Sequence, residues 1–214
     1  MVRTKDPAVR ILLIERAAQM LRAREPVTLR SIVAGAGVST MAVYTYFGGM
    51  DGLWRAMRQE GFTRLAARLQ AVPRSPDPVR DLAALGAAYL SNALANPDLY
   101  RVMFDAGFEL ENTTAADEAL HCLVDAVERA KGIGRFRHDV DALALATQSW
   151  AIGHGLVSLV ATGPLPRQAL DHGVPMLAAL FTNCGDDPNT CRRSVELGWH
   201  APSPTPDARS WGAT

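Results

Sequence analysis

The chain has 214 residues, 48% of them hydrophobic and 21% charged, with no formal net charge. This is the balance of a globular protein with one large domain, or a small one beside a medium one, and it excludes a wholly disordered chain. Three cysteines without a CxxC pair, and histidines without metal-ligand spacing, argue against zinc sites and disulfide frameworks and fit a reduced compartment.

The zero net charge conceals an asymmetry. Residues 1–60 hold nine Lys/Arg against five Asp/Glu, an excess of four, so the remainder carries an equal negative excess. A basic head on an acidic body is the pattern expected when one part meets phosphates and the other does not. No apolar run is read as long enough to cross a bilayer, and the N-terminal residues lack an apolar leader. The expectation is a cytoplasmic protein with no membrane contact.

Asp6-Pro7 reads as a helix start, a capping carboxylate before a proline whose missing N–H costs nothing in the first turn. Val9, Leu12, Leu13, Ala17, Met20 and Leu21 follow at helical spacing, and the helix ends before Pro26. Thr28 caps a second helix of about two turns, which Gly35 and Gly37 close. Ser39 caps a third, running through Phe47 to the Gly48-Gly49 break. Leu53, Trp54, Met57, Phe62, Leu65 and Leu69 mark a longer fourth helix, which stops near the proline cluster of residues 73–78.

Further helical stretches are expected over 78–95, 97–109, 115–131, 139–162 and 166–184, with a short basic loop, 132–138, between two of them. Strand alternation is nearly absent. The fold class expected is all-α: a three-helix N-terminal domain over 1–54, a larger helical domain over 55–184, and a loosely ordered tail over 185–214 that carries four prolines.

The most informative stretch is 28–54. A helix-turn-helix needs a bracing helix, a tight turn and a second helix whose first residues reach the major groove. Ile32 and Val33 can face inward, Gly37-Val38 can make the turn, and Val43 with Phe47 at i and i+4 can anchor the reading helix. That leaves Ser39, Thr40, Met41, Ala42, Tyr44, Thr45 and Tyr46 outward. Threonine and alanine suit a thymine methyl group, tyrosine hydroxyls suit phosphate oxygens, and Arg30 suits guanine or phosphate.

These residues resemble the N-terminal domain of the tetracycline-repressor (TetR) family, with its pattern T-x-R-x-I-A-x-x-A-G-V-S-x-x-x-x-Y-x-Y-F. The matching positions are Ala17-Ala18, Thr28, Arg30, Ile32, Ala36-Gly37-Val38-Ser39, Tyr44, Tyr46-Phe47 and Leu53. The resemblance implies phosphate contacts from Thr28, Ser39, Tyr44 and Tyr46, and base contacts from Arg30, Thr40, Met41 and Thr45. It also implies a ligand-responsive transcriptional regulator, a repressor released from a palindromic operator by a small effector. One position departs: the family's lysine before the fourth helix is Met50 here. Backbone N–H groups near 49–51, or Arg3 and Lys5 of the N-terminal arm, would have to compensate.

In the body, Asn96-Pro-Asp-Leu-Tyr-Arg-Val-Met-Phe104 and Trp150-Ala-Ile-Gly-His154-Gly155 resemble a subgroup of the same family named for its Trp and His-Gly pair. The stretch 142–160 is apolar on nearly every side, so it is expected to bury one face in its own domain and another against a second copy. Gly153, His154, Leu156, Val157, Leu177 and Phe181 are the residues expected in that homodimer interface. His154 also reads simply as a core histidine held by a carbonyl or a side chain. A ligand chamber is expected among Tyr89, Tyr100, Met103, Phe104, Phe108, His121, Cys122 and Trp150, an aromatic and soft set suited to a largely apolar effector.

No cofactor and no metal are implied. An enzyme is the first rival, but no nucleophile-base-orienter set, GxSxG or phosphate loop is present. A helical interaction module that retains the fold without reading DNA is the second, with Met50 its one hint.

Overall fold

The computed structural model describes residues 6–202 except 106, 108 and 162. Among them every regular element is helical: α1 (Pro7–Arg22), α2 (Leu29–Val33), α3 (Thr40–Phe47), α4 (Met50–Gln70), α5 (Pro78–Ala95), α6 (Pro97–Met103), α7 (Thr114–Gly132), α8 (Ala142–Ala161), a 3-10 turn (Arg167–His172), α9 (Gly173–Asn183) and α10 (Pro188–Trp199). The described chain divides into two compact units, 6–63 with 96–113, and 64–95 with 114–202, so that α4 crosses from one to the other.

The first unit starts where Asp6-Pro7 places it. The Asp6 carboxylate accepts from the Ala8 N–H at 2.9 Å, and Pro7 sits in the first turn of α1. Helices as short as α2 and α3 do not persist alone, because one turn of hydrogen bonds does not offset the cost of nucleation. Here Leu13 and Ala17 of α1, Ile32 of α2, Val43 of α3 and Leu53 and Met57 of α4 meet in one core and are each fully buried. Thr28 and Ser31 cap α2 reciprocally: Thr28 Oγ1 accepts from the Ser31 N–H at 3.2 Å, and Ser31 Oγ accepts from the Thr28 N–H at 2.9 Å. Arg16 closes its other end, donating from Nε to the Ile32 carbonyl at 2.6 Å and from a second nitrogen to the Ala34 carbonyl.

α6 was expected in the regulatory domain as part of a helix over 97–109. It ends at Met103 and belongs to the first unit. The reason is local packing: Met103 lies over Gly61, where an added Cβ would stand 2.4 Å from its Cγ, and Arg58 Nε donates to the Met103 carbonyl at 2.8 Å. Leu99 joins the core, and Phe104 packs on Phe62 and Tyr100 with ring centroids 5.5 and 4.9 Å apart.

The second unit builds its core from Leu82, Leu85 and Tyr89 of α5, Val127 of α7, Leu145 and Val157 of α8, Leu177 and Phe181 of α9, and Val195 of α10. α8 is long and apolar enough, by length and composition alone, to cross a membrane, contrary to the reading of the bare sequence. A core helix passes the same test, and Leu145, Ala146, Gly153, Leu156 and Val157 are buried within this unit.

The expected single helix over 166–184 is broken into the 3-10 turn and α9. Pro175 has no N–H to bond the Asp171 carbonyl, so an α-helix cannot run through; it can only start just before, where that N–H is unused.

Residues 188–199, expected within a loosely ordered tail, form α10 and pack against α5 and α9. Asp187 caps it, its carboxylate accepting from the Thr190 N–H at 2.8 Å, and Pro188 opens it. Cys191, Val195 and Trp199, each four residues from the last, make its buried stripe. Gly198 is required by the approach of the two helices, since a Cβ there would stand 2.1 Å from the Arg80 carbonyl oxygen of α5. Residues 203–214 lie outside the described ones. Cys122, Cys184 and Cys191 are free thiols, and burial pushes Cys191 up to about 12.

Candidate nucleic-acid interface

Between α2 and α3 the chain reverses over Gly35 and Gly37, with φ of +73° and +69°. A Cβ at Gly37 would meet nothing within 4 Å, so space is not the constraint there; the left-handed backbone is. The turn delivers α3 with Val43 fully buried and Phe47 nearly so, which fixes the rotation of the helix. Its other side is open: Met41 is 64% and Tyr44 50% exposed.

The sequence-based candidates divide by what their side chains already do. Thr28, Arg30, Ser39, Met41, Tyr44 and Thr45 are exposed, while Thr40, Ala42 and Tyr46 are half-buried. Thr28 is engaged in its cap, whereas Ser39 makes no capping bond through its hydroxyl. Thr45 donates its hydroxyl to the Met41 carbonyl at 2.8 Å, which leaves its methyl group as the part able to meet a base. The Tyr46 hydroxyl accepts from the Asp6 N–H at 2.9 Å, so it ties the entry of α1 to the reading helix and keeps its own proton to donate.

Several basic residues of the head are spoken for. Arg10 pairs with Glu111 at 2.9 Å and lies over the Phe47 ring, Arg16 closes α2, and Arg58 holds α6. Arg22, Arg24, Arg30 and Arg55 are exposed. Arg3 and Lys5 fall outside the described residues. Met50 is half-buried at the start of α4 and packs on the core, with Asp51 in the first helical turn.

In the body the candidate residues separate. Tyr100, Met103 and Phe104 belong to the first unit and fill its packing around Gly61 and Phe62. Tyr89, His121 and Trp150 belong to the second, where His121 is exposed and bonds its own helix at the Asp117 carbonyl. Phe108 lies outside the described residues.

The expected dimer residues need correcting by one helical face. Gly153, Leu156, Val157, Leu177 and Phe181 turn into the core of their own unit, and the exposed apolar residues are instead Leu143 and Leu159 on α8 and Met176 on α9. A helix apolar on all sides has no preferred direction, so its pattern could not say which face points inward. His154 is half-buried and paired: Tyr89 Oη and His154 Nδ1 are 2.8 Å apart, and the Trp150 ring meets the imidazole edge-on at 6.1 Å.

Burial holds the His154 pKa below that of a free histidine. Protonation is then harder in the folded than in the unfolded protein, so this contribution to stability is whole above the unfolded value of about 6.5 and is lost as pH falls through the lower folded value. Thermal melts between pH 7 and 5 are expected to show falling Tm, with a shallower fall in His154→Gln; equal slopes would assign the acid sensitivity elsewhere.

Residues 82–181 match the family model described as a tetracyclin repressor-like C-terminal domain, a span that contains both body motifs. No protein of curated function matches the chain. Among solved structures, the fold is similar to that of PfmR, a TetR family transcriptional regulator from Thermus thermophilus, at 17% identity and a TM-score of 0.62 over 79% of this chain and 97% of that one. It is similar to a protein of unknown function from Rhodococcus sp. RHA1, at 26% identity and a TM-score of 0.65 over 90% and 98%. It is also similar to RolR in complex with resorcinol, at 18% identity and a TM-score of 0.63 over 94% and 97%. A helix-turn-helix at the head and a match to the tetracyclin repressor-like C-terminal domain over 82–181 thus give the chain the fold seen in tetracycline-repressor family proteins.

Proposed function

We propose that the protein is a cytoplasmic, ligand-responsive transcriptional repressor that binds a palindromic DNA operator as a homodimer and is released by a small, largely apolar effector. The observation that carries this reading is the mounting of α3: a buried Val43–Phe47 spine holds Met41, Tyr44 and Thr45 outward on a rod the width of a major groove. Two such rods must meet grooves about 34–36 Å apart, which a two-fold dimer supplies. The face of α8 carrying Leu143, Ala151, Gly155 and Leu159 supports that assembly, because small residues between larger ones let two helices approach closely.

An effector works here only through unequal affinity for two body conformations; shifting nearly all of the population takes about 5.5 kcal/mol of preference. The complex of RolR with resorcinol shows a similar fold accommodating a small aromatic molecule with few polar groups.

The test is fluorescence anisotropy with DNA from the chain's own upstream region at several salt concentrations. Affinity should fall steeply with salt. Tyr44→Ala should weaken binding at least tenfold with the fold intact by circular dichroism, and Ala151→Arg should give monomers in sedimentation and lose operator binding. Salt-independent binding, or unchanged binding by Tyr44→Ala, would refute the reading.

A further inference from the structure

In the second unit, α5, the 3-10 turn and the end of α10 enclose an open groove of about 420 Å³, within the size range of small-molecule sites. Leu90, Leu94, Leu170 and Trp199 give it apolar walls, and Ser91 and Arg167 give it donors. Two features of Ser91 stand out.

First, it is backed by a cation. Arg68 of α4 donates from Nη2 to Ser91 Oγ at 3.1 Å, its Nε is fully buried, and neither an acceptor for that nitrogen nor a carboxylate for the charge is found among the described residues. A guanidinium stays charged in proteins, so a positive charge is held behind the hydroxyl without a counter-ion. Second, with a lone pair given to Arg68, the hydroxyl keeps its proton to donate, and among the described residues no backbone carbonyl takes it. Ser149 of α8 is the contrast: its hydroxyl donates to the Leu145 carbonyl at 2.8 Å. Ser91 and Arg167 are thus two donors on one groove, and Arg68 adds a charge that an anion would relieve.

The geometry points to a binding site for a small monocarboxylic acid with an apolar body: its carboxylate is received by the Arg167 guanidinium and the Ser91 hydroxyl, and its body lies on Leu94 and Trp199. Arg167 suits a carboxylate because its planar fork can bond both oxygens. Asp171 lines the same groove and repels a second negative charge, which selects a monoanion over a dicarboxylate. This specifies the effector's chemistry within the function proposed above and rests on the ligand-responsive part of that reading.

The experiment is titration calorimetry of the full-length protein with octanoate and phenylacetate, each beside its amide, and with suberate. Each monoacid should bind at least tenfold more tightly than its amide, and suberate more weakly than octanoate. Arg167 is exposed, so Arg167→Gln should fold normally; it should cost the acids about tenfold and leave the amides unchanged, and Ser91→Ala should weaken the acids in the same sense. Equal binding of acid and amide, no binding of either acid up to its solubility, or full acid affinity in Arg167→Gln would overturn the site. Operator anisotropy on the same samples keeps the two readings apart, because failure here with DNA binding retained removes the groove and leaves the DNA-reading function standing.

Discussion

Asp186→Ala is expected to destabilise the protein by about 1.5–3 kcal/mol, the worth of hydrogen bonding between charged groups, because Arg135 loses its two-pronged partner and keeps only Asp77 as its counter-charge. Asp186 accepts from Arg135 Nε at 2.5 Å and Nη2 at 2.7 Å, and its side chain is only 1% exposed. The same guanidinium bonds Asp77 at 3.1 Å and Ser194 Oγ at 3.1 Å, so one side chain from the loop after α7 joins the start of α5, the turn before α10 and α10 itself. That bonding to Asp186 holds Arg135 charged, with its pKa above the ordinary value. Urea melts should show the loss, and Arg135→Met combined with Asp186→Leu should recover most of it, because a well-packed apolar pair avoids the cost of desolvating charge. A small effect of Asp186→Ala alone would mean that water reaches Arg135 and that α10 is held by its apolar stripe.

Met50→Lys is expected to steepen the dependence of operator affinity on salt by about one unit of slope, since each additional phosphate contact releases about one counterion. Between 50 and 200 mM salt that amounts to about a three- to fourfold greater loss of affinity than the parent shows. The stem of a lysine can keep the packing that half-buries Met50 while its ammonium reaches outward at the start of α4. The same charge opposes the helix dipole there, so a stability cost of about 0.3–1 kcal/mol should accompany the gain. An unchanged slope in anisotropy titrations would place the start of α4 away from the phosphates.

The reading head was legible because its signals are local. The Asp6-Pro7 start, the Thr28 cap, the glycine reversal and the Val43–Phe47 pair each act within a few residues, and the structure keeps all four. α10 had a signal of the same kind in Asp187-Pro188 with Cys191, Val195 and Trp199 spaced by four, but the surrounding prolines and polar residues outweighed it. What makes that stretch a fixed helix is remote: Ser194 bonds Asp77, 117 positions away. The place of α6 in the first unit is hidden from the sequence in the same way, because nothing near Met103 in the chain announces that Gly61 leaves room for it.

By itself, then, the amino-acid order determined an all-helical chain with a helix-turn-helix head, since caps, glycine dihedrals and i,i+4 apolar pairs are settled by neighbours. Only the tertiary structure decided which side of α8 faces inward, which aromatic residues share a unit and where Ser91, Arg68 and Arg167 come together, because burial of a uniformly apolar helix and the meeting of distant side chains depend on partners that the local sequence does not contain.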